Sequence, residues 1–136
     1  MADEPMSVDT ATGGIKAGAV GGDGKQNIRL RVDGAYYAQA SVDKALAIRA
    51  FPITGVKMLR GTAGDSGTTT VDIHKNGTTI FTTQGNRPSA AYTDGDDHVD
   101  SATPDVTSVA ANDVFTLDID AAEGGGAADI IVEIYE

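Results

Sequence analysis

The chain has 136 residues, a formal net charge of −10 and no cysteine. That length suits one domain around one core. Disulfides and thiolate metal sites are excluded, and binding of nucleic acid by the domain as a whole, which needs a basic face, is not expected. A small chain without disulfides is expected to assemble into something larger or to come from an intracellular setting.

The charge is unevenly spread. All ten Lys and Arg lie between Lys16 and Arg87, whereas the 49 residues from Pro88 onward carry twelve Asp and Glu and no Lys or Arg. Basic strands pairing with acidic ones would neutralise this asymmetry inside the fold. The alternative is head-to-tail contact between subunits. The start, Met1-Ala2-Asp3-Glu4-Pro5, has neither a basic nor an apolar leader region, so no secretory signal is expected. No apolar run reaches the ~18 residues that span a bilayer.

Residues 1–26 have no hydrophobic period and include Gly21-Gly22-Asp23-Gly24. They read as a flexible N-terminal arm, either disordered or ordered only against a neighbouring subunit. A β-sandwich domain is expected over 27–136. Ile28, Leu30 and Val32 alternate with Arg29 and Arg31, a half-buried strand. Asp33-Gly34 reads as a hairpin turn, with Ala35-Tyr36-Tyr37 as the return. Ser41 could cap a short helix, but Leu46 to Phe51 is read as a strand ended by Pro52. Val56 to Arg60 is the next strand.

Thr69 to Phe81 is the clearest signal: Val71 and Ile73 alternate with Asp72 and His74, and Asn76-Gly77 supplies a type I′ hairpin turn. Gly61, Gly64 and Gly67 mark the loop that feeds it. Arg87 to Pro104 is long, polar and irregular, the kind of loop that is often functional or mobile. Val106 to Val109, Val114 to Ile119 and Ile130 to the end are strands, separated by a turn at Ala111-Asn112-Asp113 and a flexible turn at Gly124-Gly125-Gly126. The expected fold is all-β: about eight short strands in an antiparallel two-sheet sandwich, jelly-roll-like, preceded by an extended arm.

Few motifs suggest chemistry. Gly64-Asp65-Ser66-Gly67 matches the string around a serine-protease nucleophile, but both histidines, His74 and His98, follow the serine and the chain is too short; it is a polar turn. Gly24-Lys25-Gln26 lacks the Ser or Thr and the preceding strand of a phosphate loop. Asn76-Gly77-Thr78 is formally a glycosylation acceptor that turn chemistry explains. Asp94, Asp96, Asp97 and Asp100 are the best metal candidates, able to offer oxygens to Ca²⁺, although their spacing is not that of an EF-hand. No set of nucleophile, base and oxyanion donor assembles, so no enzyme activity and no required cofactor are expected.

The stretch V-K-M-L-R-G-T-A-G-D-S-G-T-T-T-V-D-I-H-K-N-G-T-T-I-F-T-T (56–83), the R-P-S-A-A-Y after it, and A-A-N-D-V-F-T-L-D-I-D-A with the closing apolar strand resemble a β module of tailed-bacteriophage virion proteins. The resemblance covers Thr54 to Glu136. Asn112 stands where Gly would be more usual, a mild departure since Asn also tolerates positive φ. The resemblance implies a head decoration, or cement, protein on the capsid exterior. It implies binding to the major capsid protein, assembly as a homo-oligomer with a trimer favoured, and no nucleic-acid or membrane partner. The expected partner contacts are Ile15, Lys16 and Lys25 on the arm and Arg29 and Arg31 on the first strand. The alternative is a tail or fibre head module that recognises host-surface glycans, which would require exposed aromatic rings on one face.

Overall fold

The computed structural model describes residues 24–136. The domain is all-β, as expected, and is built from antiparallel sheets. Its strands are β1 (Asn27–Ala35), β2 (Gln39–Leu46), β3 (Phe51–Pro52), β4 (Gly55–Thr62), β5 (Thr68–Lys75), β6 (Thr78–Thr79), β7 (Ser89–Ala91), β8 (His98–Ala102), β9 (Ser108–Val109), β10 (Val114–Ala121) and β11 (Ala128–Tyr135). One sheet has the order β1-β11-β4-β8; the facing sheet has the order β2-β10-β5, with β6 and β7 both on the outer side of β5. If β6 and β7 count as one interrupted strand, eight strands form two four-stranded sheets, and the chain crosses between them at every step except from β5 to β6/β7. This is the wrapping of a jelly roll. The short β3–β9 ribbon closes one end.

Alternation builds the core. Ile28 and Leu30 from β1, Ile130, Val132 and Ile134 from β11, and Val56 and Met58 from β4 face inward. They meet Val71 and Ile73 from β5 and Phe115, Leu117 and Ile119 from β10, all buried. Ile80, Phe81, Phe51, Ile53 and Val109 fill the end under the β3–β9 ribbon. Burying such side chains stabilises by about 1.5–3 kcal/mol each.

The Asn76-Gly77 hairpin forms as expected, with positive φ at both residues (53° and 88°). Asn76 also holds the next turn: its amide donates to Asp113 Oδ1 at 2.9 Å and its oxygen accepts from Val114 N at 2.9 Å. Asn112 adopts φ 74° there.

Four local expectations are corrected. Asp33-Gly34 is not a hairpin turn: β1 runs on to Ala35 through a bulge, with Gly34 N donating to Asp129 Oδ1 at 2.6 Å. No strand spans Leu46 to Phe51: β2 lies earlier, and its Leu46 is exposed whereas Ala47 is buried. The polar 87–104 stretch holds β7 and β8, which carry mostly half-buried small or polar residues and therefore show no apolar alternation. The Gly124 turn is pinned rather than loose. Asp65 N donates to Gly124 O at 2.8 Å, Gly124 N donates to Ser66 O at 3.0 Å, and any Cβ on Gly125 would overlap the Asp65 carboxylate.

Candidate functional site

Acidic side chains mostly complete the backbone. Among the described residues, carboxylates of Asp43, Asp72, Asp94, Asp96, Asp100, Asp105, Asp113, Asp118, Glu123, Asp129 and Glu136 accept backbone N–H groups. Those N–H groups lie at bulges, turns and strand edges, where the ladder supplies no carbonyl. Two of these bonds close the open seams of the sandwich: Asp43 on β2 accepts from Arg31 N on β1, and Asp100 on β8 accepts from Ser89 N on β7, each at 2.8 Å. Part of the charge asymmetry is also offset within the fold. Arg29–Glu133, Arg60–Glu123, Lys75–Asp113 and Arg87–Asp120 each join a base of the first part to an acid of the last.

The four metal candidates are not gathered into one ligand set. Asp94 accepts from Ala91 N, Asp96 from Ala63 N and Asp100 from Ser89 N, while Asp97 takes φ 55° and its N–H donates to Gly61 O. Among the described residues, no three His, Cys, Asp or Glu side chains stand together as a metal site. Asp94–His98 is an isolated pair at 3.6 Å.

Of the expected partner contacts, Ile15 and Lys16 lie outside the described residues. Lys25 lies just ahead of β1 and is exposed. Arg29 and Arg31 do project from the outer face of β1, but neither is an uncommitted cation. Arg29 is paired with Glu133, which also accepts from Asn27, and Arg31 donates twice to Asp33.

Two features escaped the sequence reading. The first is a fully buried ion pair. Arg60 occupies the third inward position of β4 after Val56 and Met58, and it meets Glu123 from the β10–β11 loop, both with no exposed side-chain surface. Arg60 Nη2 also donates to Gly95 O at 2.5 Å; Glu123 Oε1 accepts from Gly64 N at 2.7 Å. Thr69 Oγ1 receives Glu123 N at 3.2 Å and shares a hydrogen bond with Tyr36 Oη at 2.6 Å. Burial pushes the Tyr36 phenol above its ordinary value, and the Glu123 charge adds to this. Four loops are thereby tied together at one end. A buried charge with a partner is a latch. No strand alternation could signal it, because Arg60 reads as the polar end of an apolar strand.

The second feature is the exposed apolar set at the opposite end. Leu46 and Val114 are directly paired across β2 and β10, with Ile48 two residues on, at 56%, 39% and 74% exposure. β1 begins at this same end, since Asn27 pairs with Tyr135 and Tyr135 with Gly55, so the described chain starts here.

Compared with known proteins, the chain matches no family model, no curated protein and no solved structure.

Proposed function

We propose that the protein is a structural virion component, a decoration protein that binds the outside of a tailed-phage capsid and stabilises the shell by bridging neighbouring capsid subunits. The observation that carries this reading is the exposed Leu46, Ile48 and Val114 set at the end of the domain where β1 begins. Contiguous apolar side chains at the surface mark contact sites. Here an apolar foot and the N-terminal segment, with Lys25, would grip adjacent subunits together. A ligand that binds only the assembled shell stabilises it by mass action. The phage-module resemblance adds the capsid protein as partner, a homotrimer as the assembly and no catalytic role.

The test is co-sedimentation of the purified protein with expanded capsids. Wild type should pellet with the shells and raise their melting temperature, whereas Leu46→Asp/Ile48→Asp should stay in the supernatant while remaining folded. Failure of the wild type to bind would sink the reading.

A second reading, glycan recognition by a tail or fibre module, has one observation in its favour. Tyr36, Tyr37, Gln39 and Ser41 line an open cleft of about 260 Å³ beside the β1–β2 seam. Clear hits on a glycan array, lost in Tyr37→Ala, would favour it over capsid binding.

A further inference from the structure

We infer that the outer face of the β1-β11-β4-β8 sheet is a contact between two copies of this chain, related by a two-fold axis parallel to the strands between β11 and β4. The inference stands on the sheet register and does not depend on the virion reading.

The pairing places the outward residues in rows. One row runs Arg29, Glu133, Lys57, Ser101; the next runs Arg31, Ile131, Leu59, Val99. The second row is an apolar stripe across the middle of the sheet, and its Val99 is 53% exposed. On the far side of the Glu133–Lys57 row, the Tyr135 ring lies across Gly55: a Cβ there would come within 2.6 Å of Tyr135 Oη. Among the described cations of this face, Arg29 and Arg31 are ion-paired and Lys57 is not. Its neighbour Glu133 is turned toward Arg29 and Asn27, and Lys57 donates only to Ser101 Oγ at 3.3 Å.

A two-fold axis parallel to the strands keeps each residue in its own row and exchanges β11 with β4. Ile131 then lies on Leu59 of the second copy, and Leu59 on Ile131. Glu133 lies opposite Lys57, twice. The alternative axis, perpendicular to the strands through the apolar row, would set Glu133 against Asp129 and leave Lys57 over Gly61. Like charges facing across an interface are strongly disfavoured, so the charges of the two central strands, β11 and β4, select the parallel axis, which sets Asp33 opposite Asp97 only at the rim. Two sheet faces packed this way lie about 10 Å apart with their strands near-aligned. Four strands of about seven residues cover roughly 450 Å² a copy from strand spacing and rise. That is the low end for a specific interface, so the contact is weak and concentration-dependent.

Sedimentation equilibrium over a wide concentration range tests it. The mass of wild type should double at high concentration, from whatever unit the dilute protein forms. Lys57→Glu alone and Glu133→Lys alone should each lose the doubling, because each sets like charges together twice. Mixing the two variants should restore it, since every pair across that mixed contact is again opposite in sign. Leu59→Asp, an outward substitution that leaves the core intact, should abolish association. A wild type that never doubles, or single variants that fail to associate when mixed while remaining folded, would overturn the inference. So would a wild type that stays undoubled while Leu59→Asp loses capsid binding, which would assign the face to the shell.

Discussion

At the scale of single residues, the costliest positions are Arg60 and Glu123. Both are withdrawn from water, so each depends on the other's charge. Removing one partner strands a buried ion, which costs about 3–5 kcal/mol, while replacing both by apolar residues of similar volume is often far cheaper. Glu123→Gln should therefore destabilise by about 3–5 kcal/mol in urea unfolding. Arg60→Met/Glu123→Leu should cost less than the sum of its single changes. Additive costs would show that the two charges do not act as a pair. Arg60 Nε, buried and without a hydrogen bond among the described residues, leaves the latch short of full satisfaction. That shortfall makes an apolar replacement more tolerable still.

At the scale of elements, carboxylates take the place of ladder partners wherever a strand turns or bulges. The Thr83 N–H holds the Asp105 carboxyl below its ordinary value of 3.8. The Ala110 N–H does the same for Asp113, helped by the Asn76 amide and the nearby Lys75. In the unfolded chain these groups bind protons first as the pH falls. Their contribution is therefore complete above the unfolded value and is lost on acidification through the lower folded value. Stability should fall as the pH drops through the unfolded value of 3.8 and on past the lower folded value. Asp105→Asn/Asp113→Asn keeps an acceptor oxygen but removes the titration, so its denaturation midpoint should vary less with pH across that window. An acid slope equal to that of wild type would place the sensitivity elsewhere.

At the scale of the molecule, β11 is the strand on which one sheet depends. It pairs with β1 along one side and β4 along the other, and it contributes Ile130, Val132 and Ile134 to the core. β1 and β11 lie at opposite ends of the described chain, so the sheet cannot close until nearly all of it is present. A chain ending before Ala128 should show no cooperative thermal transition. A sharp transition in that shortened chain would mean the remaining strands support each other without β11. The Arg29–Glu133 ion pair has the same long reach, joining the basic first part to the acidic last part.

The all-β class was legible in the sequence because β1, β4, β5, β10 and β11 alternate apolar and polar residues, and burial on one face of a pleated strand imposes that period. The Asn76-Gly77 turn was legible because positive φ restricts residue choice. By contrast, β7 and β8 were hidden: Ser89-Ala90-Ala91 and His98 to Ala102 lie on open edges and bury little apolar surface. Gly34 looked like a turn, since a glycine with positive φ serves a bulge as well as a hairpin. Pairing partners were equally out of reach. Whether Asp94 to Asp100 converge on one ion or diverge to separate N–H groups depends on where distant backbone lies, and so does the meeting of Arg60 with Glu123. Local sequence determines the period and handedness of each segment. Which carboxylate meets which cation, and which apolar residues remain uncovered at the surface, is decided only when the two sheets close on each other.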